Sequence, residues 1–319
     1  MKIQILIDFE TAVSELKAAE NVLVLTHANP DGDTLGSGFA LVRILRQLGK
    51  KARLVNNDEI PRKFSYLYED LEQEDFREET VIGVDIADRA LLGKETEAKY
   101  GDRVKLDIDH HGTNRLFAEK TYVEPGSASC CEIIFLLAKA LGVTIDKGIA
   151  DCLYTGCSTD TGCFRYSNVT ERTHRIAAEL IALGADHAAI NVKMFETKSF
   201  SYIKLQAMAL EKLEMHFDGR VSFLNVTRKM LDETGAKDDE IDALVALSRQ
   251  IEGVQVGVTF KEKPDGVFKV SVRTHEGISA AEICSAFSGG GHERAAGCSF
   301  GASLEEAKQQ MLGELQKYF

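Results

Sequence analysis

The sequence predicts a two-domain α/β protein: a doubly wound, mostly parallel sheet, then a smaller α+β domain, joined by a helical connector. Three observations lead there. Short apolar runs alternate with helical stretches through residues 1–185, the pattern of a parallel sheet covered by helices. Residues 186–213 are helical in pattern, moderately polar and free of Pro and Gly. Residues 214–319 carry two hairpin signals interleaved with short helices, which suits an α+β domain of ordinary size.

Taken in order, Val22-Leu23-Val24-Leu25 reads as a buried parallel strand and Phe39–Leu45 as part of the helix after it. Lys51–Asn57, Thr80–Asp85 and Val104–Ile108 read as three further strands. Ser129 with Glu132 makes a capping box that opens a helix over Cys130–Leu141. Lys147–Ser158 is helical up to Thr159-Asp160-Thr161-Gly162, and Thr170–Leu183 is an amphipathic helix stopped by Gly184. Further on, Met215–Phe217 and Val221–Leu224 flank Asp218-Gly219-Arg220, and Val254–Glu262 and Val267–Arg273 flank Pro264-Asp265-Gly266. Both are hairpins. Helices are expected near Glu240–Gln250 and over Ala280–Phe287, and Ser303 with Glu306 caps the last one.

Composition narrows the function. The net charge of -12 argues against gripping a long duplex nucleic acid, which needs a basic track. It leaves room for a small phosphorylated substrate in a local pocket. No apolar run approaches the roughly 20 residues of a membrane span, and Asp8 comes too early for a secretory signal. A cytoplasmic protein is expected. Seven cysteines without a C-x-x-C pair read as buried reduced thiols, not as a disulfide framework.

Metal-capable side chains recur where strands and helices end, the place where open α/β sheets bind ligands. The first group is His27 with Asp31 and Asp33; then come Asp85, the run Asp109-His110-His111, and Asp160. Asp31 and Asp33 flank Gly32, so a tight turn could aim both at one point, or the stretch could simply cap the next helix. Imidazoles with carboxylates and no thiolates suit Mn²⁺ better than zinc or magnesium. Asp109 could orient an imidazole. Asp88 could orient a ligand or cap a helix. In the second domain, Gly289-Gly290-Gly291 could curl its N–H groups into an anion-binding nest, with Arg294 and Arg273 adding guanidinium donors. Arg165 is a candidate for a substrate phosphate or base, or for a surface salt bridge.

The motifs His27-x-x-x-Asp31-Gly32-Asp33, Val84-Asp85-Ile86-Ala87-Asp88, Asp109-His110-His111, Thr159-Asp160-Thr161-Gly162 and Gly289-Gly290-Gly291-His292-Glu293-Arg294-Ala295-Ala296-Gly297 occur in that order. With them the chain resembles the DHH phosphoesterase family, in the branch with the DHH-associated C-terminal domain, over nearly its whole length. The resemblance implies a two-metal site, usually of Mn²⁺. It implies that His27, Asp31 and Asp85 hold one ion and that Asp33, Asp85, His110 and Asp160 hold the other. It leaves His111 to the scissile phosphate, as donor or acid, and gives Gly289, Gly290, Gly291 and His292 to the far end of the substrate.

The expected activity is hydrolysis of short oligoribonucleotides, as in the family's oligoribonucleases, and of 3'-phosphoadenosine 5'-phosphate. A phosphodiesterase for cyclic or linear dinucleotides is the alternative enzyme, and a nucleotide-binding regulator the alternative without catalysis. Partners are then short RNA, dinucleotides and small nucleotides; a homodimer is left open.

Overall fold

A computed structural model describes residues 4–319 except Gln73, without the side chains at 239, 242, 243 and 292. The chain divides into two compact units, Met1–Thr197 and Lys198–Phe319. Among the described residues each unit contains one six-stranded sheet.

The first unit runs β1 (Ile5–Leu6), α1 (Phe9–Ala18), β2 (Val22–Leu25), α2 (Gly32–Gln47), β3 (Ala52–Val55), β4 (Thr80–Val84) and α3 (Lys94–Tyr100). It continues with β5 (Val104–Asp109), β6 (Lys120–Val123), α4 (Cys130–Leu141), α5 (Lys147–Asp160), α6 (Glu171–Ala182) and α7 (His187–Asn191). Its sheet is parallel throughout, in the order β1-β6-β5-β4-β2-β3. From β2 the chain steps one way to β3 and then back past it to β4, so the strand order reverses beside β2. The carboxyl ends of β2 and β4 therefore open onto the crevice where such sheets take ligands. The four strands read from the sequence are present; β1 and β6 are too short and mixed to have been legible.

Two expectations change here. Asp31 and Asp33 do not share a loop: Asp31 is the N-cap of α2, accepting from the backbone N of Asp33 and Thr34, while Asp33 lies in its first turn. The helix starts earlier than its apolar run because Gly36 and Gly38 let it sink into the core. A Cβ on Gly36 would lie 2.4 Å from the Cys152 carbonyl oxygen of α5, and one on Gly156 2.2 Å from Cys131 Sγ. At the start of α4, Ser129 caps as expected by accepting from Glu132 N. The Glu132 carboxylate, fully buried, pairs instead with Arg172 at 3.2 Å.

The second unit runs α8 (Phe200–Glu211), β7 (Glu214–His216), β8 (Val221–Val226), α9 (Arg228–Thr234), α10 (Asp242–Val245), β9 (Val256–Glu262) and β10 (Phe268–Thr274). It ends with α11 (Ala280–Ser285), β11 (Gly290–His292), β12 (Ala295–Phe300) and α12 (Leu304–Leu315). Both expected hairpins form, and β8 pairs parallel with β9. Ser303 and Glu306 make a reciprocal capping box at α12. The helix expected near 240–250 is broken into single turns. The stretch 186–213 is not one connector helix. Ile190 and Met194 pack into the first unit's core, whereas Tyr202, Leu205 and Ala209 pack with Leu224 and Val226 of the second.

The glycine contacts make a stability prediction. Gly36→Ala should destabilise the fold by roughly 1–3 kcal/mol, because the added methyl meets backbone that cannot rotate away. Urea unfolding measures it; an unchanged midpoint would mean that α2 and α5 are not held at that distance.

Candidate metal centre and active site

Every residue assigned to the metals and every member of the Asp109-His110-His111 run comes to one place, at the carboxyl ends of β2, β4 and β5. His27 follows β2. Its Nδ1 lies 2.8 Å from the Ala28 carbonyl, which turns Nε2 toward the carboxylates. That Nε2 lies 3.7 Å from both Asp31 Oδ1 and Asp85 Oδ2. His110 follows the same plan, with Nδ1 3.2 Å from the Ser127 carbonyl. Its Nε2 is 3.5 Å from Asp85 Oδ1, 3.5 Å from Asp160 Oδ2 and 3.8 Å from Asp33 Oδ2. These separations are too long for hydrogen bonds. They suit donors gathered around a shared cation.

The donors fall into three overlapping sets, His27/Asp31/Asp85, Asp33/His110/Asp160 and Asp85/Asp109/His110/His111, each with ligand atoms within 4.8 Å of one another. Asp85 reaches both histidines, one through each oxygen. It is buried in left-handed backbone (φ 60°), and its Oδ1 has no hydrogen-bond partner. A buried carboxylate oxygen with no donor is costly, and a cation would satisfy it. The donor set therefore fits a divalent metal on the structure's own terms.

Asp33 is held differently. Its two oxygens accept from the backbone N of Cys130 (2.6 Å) and Cys131 (3.0 Å), the first residues of α4. These N–H groups lack partners within the helix, and the positive end of the helix dipole favours an anion there.

Asp109 is fully buried and serves His111. Its Oδ1 takes His111 Nδ1 at 2.7 Å and the backbone N of His110 at 2.8 Å. The expected imidazole-orienting role is thus directed at His111, not at the adjacent His110. Sequence reading missed Asn114, whose Nδ2 reaches Asp109 Oδ2 at 2.7 Å and Asp107 Oδ2 at 2.9 Å. It also missed Arg172, which donates to Ser127 Oγ at 2.7 Å and so braces the loop that presents the Ser127 carbonyl to His110. Asn114 sat three residues past a recognised motif and could have been found; Arg172 gave no local signal.

Crowding shifts the titrations. Burial lowers the His27 imidazole, but Asp31 and Asp85 outweigh it and raise it to about 9. His110 is likewise opposed by burial and raised to about 10 by Asp85, Asp33 and Asp160. Burial, then Asp85 and Asp160, pushes Asp33 well up; burial, relieved in part by His110, pushes Asp160 to about 7. His111 is raised, chiefly by its bond to Asp109.

The second unit's candidates are placed less as expected. Gly290–His292 is not a nest but an extended edge strand, paired antiparallel with Ala295–Gly297. Gly289 leads into it, with backbone so close that a Cβ would lie 2.3 Å from the Gly297 carbonyl oxygen. Arg294 Nη1 donates to the carbonyls of His275 (2.8 Å) and Ile278 (3.2 Å), so this guanidinium braces a loop. Arg273 is half-buried on β10, with Nη1 on the Val272 carbonyl. The His292 side chain lies outside the described residues. In the first unit, Arg165 is exposed, and its Nε donates to the Gly162 carbonyl at 2.6 Å. Asp88 caps a short 3-10 turn, accepting from Ala90 N. Six cysteines are buried and Cys163 half-buried; all seven are free.

Comparison with known proteins agrees with this layout. Residues 21–157 match the DHH family N-terminal domain and residues 221–319 match the DHHA1 domain. The chain is 36% identical to the bifunctional oligoribonuclease and PAP phosphatase NrnA of Thermus thermophilus, over 93% of this chain and 90% of that protein. The chain belongs to the DHH family of phosphoesterases. Another DHH relative, the cyclic-di-AMP phosphodiesterase PdeA of Listeria monocytogenes, is 24% identical over 94% of this chain but only 48% of its own length. The DHH fold is shared with an exopolyphosphatase-related protein from Bacteroides fragilis, at a TM-score of 0.89, 23% identity and coverage of 97% and 96% of the two chains. Among the described residues no helix is long and apolar enough to cross a membrane.

The shifted groups make a prediction for the metal-free protein. The raised imidazoles contribute stability that is fully present below their ordinary 6.5 and lost as pH rises through about 9 to 10. The raised Asp160 acts in the same direction: it is neutral in the fold and ionised in the unfolded chain between 3.8 and about 7. Stability therefore falls as pH rises across both windows. Tm should drop steadily from about pH 5 to about pH 9, and added Mn²⁺ should raise it more at pH ~8 than at pH ~6. An equal Mn²⁺ effect at both values would mean that the ion does not replace protons in this cluster.

Proposed function

We propose that this protein is a metal-dependent hydrolase of short oligoribonucleotides and of 3'-phosphoadenosine 5'-phosphate, working with two Mn²⁺ ions. The observation that carries the reading is Asp85, buried and lacking a donor on Oδ1, with one oxygen toward each of two histidine–carboxylate sets. His27, Asp31 and Asp85 would hold one ion, and Asp33, Asp85, His110 and Asp160 the other. When bound, the ions supply water-acidifying and charge-neutralising chemistry at the phosphate.

The chain's own residues do the rest. His27 and His110 are locked by backbone carbonyls in the tautomer that presents Nε2. Asp109 holds His111 by Nδ1, which leaves His111 Nε2 to face the phosphate. A raised imidazole there carries the proton that the leaving oxygen needs when the P–O bond breaks. Arg165 in the first unit, and Arg273 with the strand Gly290–His292 in the second, would contact substrate.

The oligoribonuclease reading is favoured over the cyclic-dinucleotide one by a relative at 36% identity spanning nearly the whole of both chains. The cyclic-dinucleotide relative matches at 24% and over half its length. A panel of labelled two- to ten-nucleotide RNAs, 3'-phosphoadenosine 5'-phosphate and cyclic di-AMP tests this directly. Preferential cleavage of cyclic di-AMP would overturn it, and binding without turnover would mean a regulator.

Three substitutions probe the roles. Asp85→Ala should abolish turnover and lower metal content, since both sets lose a donor. Substantial activity in a folded variant would end the bridging assignment. His111→Ala should cost roughly 10²–10⁴ in kcat with metal retained; loss of an ion would make His111 a ligand. Arg273→Ala should raise KM for di- and trinucleotides about tenfold, from the ~1.5–3 kcal/mol of a charged hydrogen bond. It should leave bis-p-nitrophenyl phosphate hydrolysis unchanged, because that ester offers the second unit nothing to hold. Equal damage to both substrates would place Arg273 in the fold.

A further inference from the structure

We propose that Asn114 is a positioning residue for this reaction, acting on His111 through Asp109. The inference rests on the reading of His111 as the group that meets the phosphate.

Asn114 uses nearly every polar atom it has within the loop that follows the Asp109-His110-His111 run. Its backbone N donates to the His111 carbonyl at 3.0 Å. Its Oδ1 accepts from Leu116 N at 2.7 Å, where the chain turns through left-handed backbone (φ 52°). Its Nδ2 meets three acceptors: Asp109 Oδ2 at 2.7 Å, Asp107 Oδ2 at 2.9 Å and the Ile86 carbonyl at 3.2 Å. One amide thus ties together β5, the chain leaving β4, and the loop carrying His111.

The consequence falls on Asp109. That carboxylate is fully buried, so the direction of each oxygen is decided by the donor it meets. Asn114 occupies Oδ2, which turns Oδ1 to His111 Nδ1 and to the His110 backbone N. The same amide stands between Asp109 and Asp107, two carboxylates with no exposed surface. Without it Asp109 Oδ2 loses the side-chain donor that fixes the turn of the carboxylate toward His111. No other amide side chain in the run from Asp109 to Leu116 could substitute.

The test uses the full chain with Asn114→Ala, which removes the amide, and Asn114→Asp, which keeps the acceptor for Leu116 N but replaces the donor by a third carboxylate. Rates are measured on dinucleotides, whose leaving oxygen needs a proton, with bis-p-nitrophenyl phosphate, whose leaving phenolate does not, as the insensitive control. Both variants should lower kcat about 10–100-fold, with KM and bound metal as in the unsubstituted protein. In a His111→Ala background the same changes should cost less than about threefold, because residues acting as one unit do not add. A second readout needs no substrate: the NMR signal of the His111 Nδ1 proton, assigned by its loss in His111→Ala, should vanish in Asn114→Ala. An unchanged signal, or an equal kcat loss with and without His111, would overturn the proposal. If either variant is unfolded, Asn114→Ser, which keeps one donor, is read the same way.

Discussion

Mutual repulsion among Asp33, Asp85, Asp109 and Asp160 is the constraint around which the first unit is built. All but Asp160 are essentially out of water, and charges so placed must be paired or hydrogen-bonded. The fold meets the requirement with a different device at each position. Asp33 takes the first two N–H groups of α4; Asp109 takes Asn114 and His111; Asp160 sits at the end of α5 with His110 beside it. Asp85 Oδ1, at the centre, is buried with no hydrogen-bond partner. The site is thus nearly compensated by protein and incomplete at its centre, as a cation-binding site should be.

The three histidines are held in two different ways. Each of His27 and His110 is fixed by a backbone carbonyl at Nδ1, so its orientation does not depend on whether an ion is present. His111 is fixed by a carboxylate instead. That single difference ties His111 to a side chain and the other two rings to the main chain.

Much of this was legible in the sequence, because the parts that place the site are short-range. Strands β2, β4 and β5 announce themselves as apolar runs, and the metal-capable residues lie within a few positions of where they end. Asp31 as an N-cap was open to reading, since a polar residue before an apolar helical run is its own signal. What failed depended on distant partners. The start of α2 was hidden because Gly36 and Gly38 lower helix propensity, and only the distant partners they approach, α5 for Gly36 and the side chains of Leu54 and Thr26 for Gly38, make them favourable. The triplet Gly289–Gly291 suggested a curled nest, but pairing with β12 extends it. Glu132 matched a capping box in spacing, yet Arg172, forty residues away, takes its carboxylate.

The contact of α2 with α5 through Gly36 and Gly156 has a consequence for how the protein can vary. Asp33 sits on one of these helices and Asp160 on the other, and where the helices touch there is backbone against backbone. The spacing of the two carboxylates is therefore gauged by main-chain dimensions that no substitution elsewhere alters. Large core residues such as Leu41, Ile44 or Phe135 lie outside that backbone contact. A change in their size would be taken up by side chains, while the two acids keep the distance the main chains set.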